Sequence, residues 1–226
     1  MILKKIFNIL SDFHNDRIYK YSNKLNLDTF IDIGSHEGEF ISRFLNNKKI
    51  KKFYCFEPNV FLFRELLKKF RSNKKIILSN NALGDSNAIK KLFLSNLTYN
   101  SSMSKFNKKS NYLKFKNLIL KENLYQTFSK VKQITFDQYF KNKKINNSFL
   151  KLDVEGYEYN VLRGASKKIK EVKYILIEHQ FSNQYINSFD QVKDLIKKYN
   201  FKQIKNFYYP SLHYKDMLFI NKRYLK

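Results

Sequence analysis

Cysteine occurs once in these 226 residues, at Cys55 in the apolar run "FYCF". No internal disulfide can form, the thiol reads as a core group, and a reducing compartment is expected. Long apolar runs are also missing, so no bilayer-spanning helix is expected. The opening "MILKKIFNILSDFHNDR" has Lys4 and Lys5 interrupting a short apolar stretch, with acids soon after, which argues against a signal peptide and for a cytoplasmic protein. Acidic residues are few, 19 against 44 basic ones, for a formal charge of +25. Arginine is scarcer still: 6 Arg stand beside 38 Lys and 26 Asn. Recognition of phosphates and bases favours the arginine fork, and the lysines are scattered in pairs from end to end. The joint drift toward Lys, Asn, Ile and Phe resembles the codon bias of an AT-rich genome. Nucleic acid is therefore disfavoured as a partner, while an anionic glycan or the inner leaflet of a membrane stays compatible with the surface.

What is present suffices for a folded domain: 43% hydrophobic and 17% aromatic residues exclude global disorder. Apolar residues at Ile6, Ile9, Leu10 and Phe13 give residues 1–27 the spacing of an amphipathic helix. It either docks on the domain or rests peripherally on the inner membrane face, and Asp12 and Asp16 favour docking. Residues 28–226 form one domain. Within it the pattern from about 90 to 132 is poor and rich in Asn, Ser and Lys, as in an irregular lid-like insertion.

From Leu27 onward strand, loop and helix alternate. "TFIDIG" leads into "GEFISRFLNN"; "KKFYCFEPN" leads into "VFLFRELLKKF", with Pro58 and Asn59 as start signals. "KIILSNNALGD" is a third strand and loop. "SFLKLDVEG" enters the helix "YEYNVLRGASKKI", and "VKYILIEH" is followed by the helix "SFDQVKDLIKKY". Nearly continuous apolar strands between amphipathic helices predict an α/β fold with a mostly parallel sheet covered on both faces. "FKQIKNFYY" and "MLFINKR" are joined too closely for a parallel crossover, so they form a hairpin with an antiparallel last strand.

Gly34 and Gly38 mark the turn from the first strand into its helix, where a missing Cβ allows close approach of a ligand and helix N–H groups are available. Asp32 and Glu37 make this rim acidic, which suits a cationic ligand better than a pyrophosphate. Glu57 ends the second strand; it can accept hydrogen bonds from ribose hydroxyls or stabilise the next helix. Asn81, Ala82 and Leu83 can lie against an adenine or form a plain turn. Asp153 and Glu155 end the fourth strand and Glu178 and His179 the fifth, at the edge where open α/β sheets bind ligands. So many titratable groups on one rim exceed what packing requires.

In order and spacing, "FIDIGSHEGEF", "CFEPN", "NNALGD", "ITFDQYF", "KLDVEGYEYNVLRGA" and "ILIEH" resemble the FkbM-type methyltransferases over about residues 29–220. The resemblance implies the Rossmann-like class I methyltransferase fold, a three-layer sandwich with sheet order 3-2-1-4-5-7-6 and strand 7 antiparallel. It implies S-adenosylmethionine as cofactor and S-adenosylhomocysteine as product, held by Asp32, Gly34, Ser35, His36, Gly38, Glu57, Pro58, Asn81, Ala82, Leu83 and Asp153. His36 stands where similar proteins usually carry Asn. The implied reaction is O-methylation of a sugar, glycolipid or secondary metabolite, in a setting such as surface-polysaccharide biosynthesis.

For the general base the candidates are His179, Asp153, Glu155 and Glu178. His179 is favoured for its ordinary pKa, against a purely structural role at the strand end. Tyr208, Tyr209, His213 and Tyr214 on the last hairpin offer aromatic faces to a sugar ring, or are ordinary packing aromatics. "TFDQYF" is structural, with Thr135 and Gln138 at capping-box spacing. No tight metal motif is present, so no metal is expected; Mg²⁺ is the ion such carboxylates would suit. The rival readings are an RNA methyltransferase and a non-catalytic scaffold.

Overall fold

The computed structural model describes residues 2–95, 101–104, 126–181, 189–210 and 214–225. His213 falls outside the described residues. The elements are α1 (Ile2–Ser22), β1 (Thr29–Ile33), α2 (Glu39–Phe44), β2 (Lys52–Phe56), α3 (Val60–Phe70), β3 (Ile76–Ser79), β4 (Ala82–Gly84), β5 (Ala88–Ser95), β6 (Ser101–Ser102), β7 (Gln126–Thr135), α4 (Phe136–Phe140), β8 (Ser148–Leu152), α5 (Glu158–Arg163), β9 (Tyr174–Gln180), α6 (Phe189–Lys198), β10 (Phe201–Tyr208) and β11 (Tyr214–Asn221).

Seven strands form the main sheet in the order β3-β2-β1-β8-β9-β11-β10. All neighbours are parallel except β11, which runs antiparallel to both β9 and β10. This is the order implied by the resemblance. β1 and β8 are buried at every position, because both sheet faces are covered and neither side of these strands reaches water. On one face Ile31, Ile33, Leu150, Leu152, Ile175 and Ile177 pack against Phe136, Phe140, Val192 and Ile196 of α4 and α6. The other face is built from phenylalanines. Phe30 stacks on Phe149 with ring centroids 5.3 Å apart, and Phe44 from α2 closes on Phe30 at 4.7 Å.

Helix α1 lies on this second face, but not through the apolar stripe expected. Ile9 and Phe13 are exposed, whereas His14 and Ile18 are buried. His14 can be the inward residue because Asp216 pairs with its Nε2, although its Nδ1 has no hydrogen-bond partner. Arg43 of α2 binds both Asp12 and Asp16, so the two acids that interrupt the basic pattern join the helices.

A second sheet, β4-β7-β5-β6, was not anticipated. The segment expected to be irregular supplies strands at both ends: β5 and β7 pair antiparallel over eight positions, Ala88–Gln133 to Ser95–Gln126. Leu92 and Val131 turn inward while Ile89, Lys91, Phe128, Lys130 and Lys132 are exposed. Lysines on the outward positions conceal the period of a half-buried strand. The long helix expected after β8 is likewise interrupted, ending at Arg163 before a 3₁₀ turn, Lys168–Glu171. Gly164 lies so close to β4 that a Cβ there would be 1.9 Å from the carbonyl oxygen of Gly84. Thr135 does cap α4, accepting from the Gln138 amide.

Candidate functional site

The turn after β1 is locked to β2. The amides of Gly34 and Ser35 both donate to the Phe56 carbonyl at 3.0 Å, and Gly38 N–H donates to Ser35 O. These N–H groups are therefore not available to a ligand, contrary to the sequence expectation. The glycines serve packing: at Gly34 (φ 85°) a Cβ would lie 1.8 Å from the Asp153 carbonyl oxygen, and at Gly38 (φ 74°) it would strike the Phe70 ring and Leu66 of α3. Ser35 is buried and donates to the Asp32 carbonyl.

Glu57 is set at the tip of β2 by two amides. His36 N–H donates to Oε2 and Asn59 N–H to Oε1, each at 2.9 Å. Burial pushes its carboxyl up to about 7, opposed by those two hydrogen bonds. Asn59 in turn caps α3 through Phe61 N–H. The His36 ring turns aside to Glu39, 2.9 Å from Nδ1. Burial works against protonation of this imidazole, but the Glu39 bond and the nearby carboxylates raise its pKa.

Beside β1, Lys151 of β8 pairs directly with Asp32 in register. Its Nζ is 2.9 Å from Asp153 Oδ2 and 3.6 Å from Asp32 Oδ1. Burial pushes the Asp32 carboxyl up to about 6, with Lys151 pulling it back down. Burial disfavours the Lys151 ammonium too, yet Asp153 and Asp32 outweigh that and raise its pKa. After Asp153 the chain makes a tight turn with Glu155 and Gly156 at φ 54° and 86°. Glu158 holds that turn, its Oε1 accepting from the amides of Val154 and Gly156. From β6, Ser102 donates to the Glu155 carbonyl.

Because side chains alternate along a strand, the neighbours Glu178 and His179 part company. Glu178 shares Gln180 Nε2 with Glu155, at 2.8 and 2.9 Å. Burial, then the charges of Asp153, Glu155 and Asp216, raise its carboxyl well above the usual range. His179 leaves on the opposite face and stacks on Phe189 of α6 with ring centroids 3.8 Å apart. Burial, with Lys193 and Lys215 adding to it, lowers the imidazole to about 4. The hairpin aromatics separate in the same way. Tyr209 is buried against Ser11, stacked on Tyr214, and both meet His14 edge-on. Tyr208 faces out toward Phe181 and Lys215.

Gly34, Glu57, Pro58, Asn81, Ala82, Leu83 and Asp153 line one cleft of about 410 Å³, its open mouth included. Asp32, Ser35, His36 and Gly38, expected to hold the cofactor, are not on its lining. Sequence reasoning missed Leu92, Met103 and Tyr157 on the lining, and Lys151 and Glu158 under it. A lysine inside "FLKL" was the visible signal for Lys151; the second-sheet residues gave none. Among the described residues no three His, Cys, Asp or Glu side chains are grouped to hold a metal ion. No described helix is long and apolar enough to cross a membrane.

Similar folds occur in solved structures. TrmK of M. capricolum, in complex with S-adenosyl-homocysteine, is 12% identical with a TM-score of 0.52, over 92% of this chain and 68% of that one. Sp1610 of Streptococcus pneumoniae, in complex with S-adenosyl-L-methionine, gives 8% and 0.51, over 91% and 72%. These likenesses establish the fold. Protein Ycf2 of Marchantia polymorpha is 35% identical over 122 residues, which is 54% of this chain and 6% of Ycf2; so small a share of that protein says nothing of its activity here. The sequence model of the Methyltransferase FkbM domain matches residues 32–202, from Asp32 in β1 to the start of β10. The chain belongs to the FkbM methyltransferase family.

Proposed function

We propose that the protein transfers the methyl group of S-adenosylmethionine to a hydroxyl of a sugar, glycolipid or related metabolite. One observation carries this reading: Glu57, Gly34 and Asp153 open onto a single cleft walled by Asn81, Ala82 and Leu83. The donor set suits the cofactor. Glu57 keeps lone pairs for ribose hydroxyls after accepting two amides, and Asn81–Leu83 offers an apolar wall with a polar edge for adenine. Asp32, whose carboxylate oxygens have no hydrogen-bond partner, and Asp153 supply negative charge for a sulfonium and an ammonium. When bound, this cofactor supplies an activated methyl group. The chain's own work is orientation, which can contribute about 7–11 kcal/mol, and acceptance of the hydroxyl proton, typically worth ~10²–10⁴-fold.

Asp153 is the base this geometry favours, since it lines the cleft and Lys151 fixes its carboxylate. Glu155, Glu178 and Gln180 frame the acceptor side. His179, on the far face of β9, is better suited to supporting α6. Of the described hairpin aromatics Tyr208, beside Phe181, is the one exposed for a sugar ring.

Calorimetry tests the cofactor: micromolar binding of S-adenosylmethionine and S-adenosylhomocysteine is expected, and absence of both overturns the reading. Mass spectrometry of glycans from cells with and without the protein tests the acceptor, a 14-Da difference on a sugar being the expected result. RNA is the second reading. Outward lysines at 91, 130 and 132 surround exposed Phe128, with Lys91 Nζ 4.4 Å from that ring's centre, a surface able to meet phosphates and stack a base. Sp1610 carries a provisional assignment as a tRNA (m1A22) methyltransferase. Salt-dependent RNA retention in filter binding would favour this acceptor, and none would remove it.

A further inference from the structure

Docking leaves one face of α1 uncovered. His14 and Ile18 turn inward, but on the opposite side Ile9 is 66% and Phe13 57% exposed, one turn apart. The Phe13 flank meets the end of β10. Arg17 lies over the Phe13 ring, 5.8 Å from its centre, and donates to the Tyr208 carbonyl at 3.2 Å. Tyr208 is 45% and Phe181 44% exposed, with ring centroids 6.5 Å apart. Lys215 Nζ lies 5.4 Å from the Tyr208 ring centre and 5.8 Å from that of Phe181. Two exposed apolar side chains from the helix and two from the sheet edge thus form one ridge, set with two cations. Asp12 and Asp16, the acids that would repel an anionic partner, lie on the other flank of the helix, where Arg43 binds both.

We propose that this ridge docks the protein on an anionic bilayer surface. Its apolar side chains can enter the headgroup boundary while Arg17 and Lys215 keep their charges at the phosphates, and Tyr208 has the apolar body and polar tip of an interfacial residue. Charge decides the occupant. The chain carries a formal +25, so a second copy would approach against like charge, whereas an anionic leaflet attracts it. RNA shares that attraction, but Ile9 gives a base no ring to stack on. The ridge adjoins the acceptor side, since Phe181 follows Gln180, which donates to both Glu155 and Glu178. A protein docked there meets its acceptor among the headgroups, so a glycolipid is the member of the proposed substrate class that fits. This last step rests on the acceptor reading above; the docking does not.

The chain contains no tryptophan, so a single one reports its own surroundings. Phe13→Trp, Phe181→Trp and, on the second sheet, Phe128→Trp are mixed with vesicles of phosphatidylcholine alone or with about 30% phosphatidylglycerol. With the anionic vesicles, emission from positions 13 and 181 should shift to the blue by roughly 10 nm and that from 128 should not. Neutral vesicles should leave all three unchanged. In sedimentation, the double variant Ile9→Ser, Phe13→Ser should bind the anionic vesicles at least about tenfold more weakly than the wild type, with an unchanged thermal melt because both residues are exposed. Equal shifts at all three positions, or a double variant that sediments like the wild type, would mean attraction by net charge alone and overturn the proposal. Failure of the wild type to bind overturns it too. A dimer in light scattering that the double variant abolishes would give the ridge to a second copy, and RNA retention lost in that variant would give it to nucleic acid; either result overturns it. Vesicle binding without binding of S-adenosylmethionine would instead sink the methyl-transfer reading and leave the docking intact.

Discussion

His14 Nε2 lies 2.7 Å from Asp216 Oδ2, a buried pair that joins α1 to β11 across 202 positions of sequence. Neither residue belongs to the segment matched by the family. On the sheet Asp216 is paired in register with Glu178, so this contact anchors β11 beside the tip of β9. Removing one partner leaves the other buried and unpaired. His14→Ala should cost about 3 kcal/mol of stability in urea unfolding, and adding Asp216→Asn should recover part of it. Additive losses in the double variant would show that the two do not act as a pair.

Gly34→Ala should be more disruptive than its size suggests. The new Cβ would meet the Asp153 carbonyl oxygen at 1.8 Å in a residue at φ 85°, so the β1 and β8 turns must separate. A loss of about 2–4 kcal/mol is expected, together with loss of cofactor binding. Thermal melts with and without S-adenosylhomocysteine provide the check.

Glu57→Ala should weaken cofactor affinity at least about tenfold while the protein stays folded. The same carboxyl sets a pH dependence. Folding raises its pKa from 4.5 to about 7, so below that it is protonated and has lost an acceptor site. Affinity for S-adenosylhomocysteine should rise from about pH 6 to about pH 8 and then level off. Stability should move the other way: the folded state holds this proton more tightly, so the contribution of Glu57 is fully present below pH 4.5 and is lost as pH rises from there to about 7.

His179 should remain neutral throughout the physiological range. Its imidazole is lowered to about 4 by burial and by Lys193 and Lys215. In an NMR titration its ring signals should stay fixed from about pH 8 down to about pH 5 and move only below that. An inflection near the ordinary histidine value would show that the stack on Phe189 is open in solution.

The parallel core was legible because β1, β2, β8 and β9 have apolar residues on both faces, and the connection between the last two strands, too short for a parallel crossover, forced the hairpin. The acids at the strand tips were legible as well, because a charge ending an apolar run has few other uses. Which face each acid takes is less easily read: the period of two separates His179 from Glu178, and the start of the strand has to be known to the residue. The free turn amides were misjudged because β2, remote in sequence, accepts them. Lys90, Lys91, Lys130 and Lys132 hid β5 and β7, since basic codons enriched throughout the chain dilute an alternation only eight positions long. Nothing near His14 in the sequence marks it as an inward residue, its partner being 202 positions away.

The place of β11 between β9 and β10 bears on how the protein is made. Ribosomal synthesis delivers β10 before the strand it must pair with, and β9 waits with an open edge until residues 214–221 clear the exit tunnel. A nascent chain halted there carries an unzipped hydrophobic border, the kind of surface that trigger-type chaperones shield and that recruits other chains when they do not.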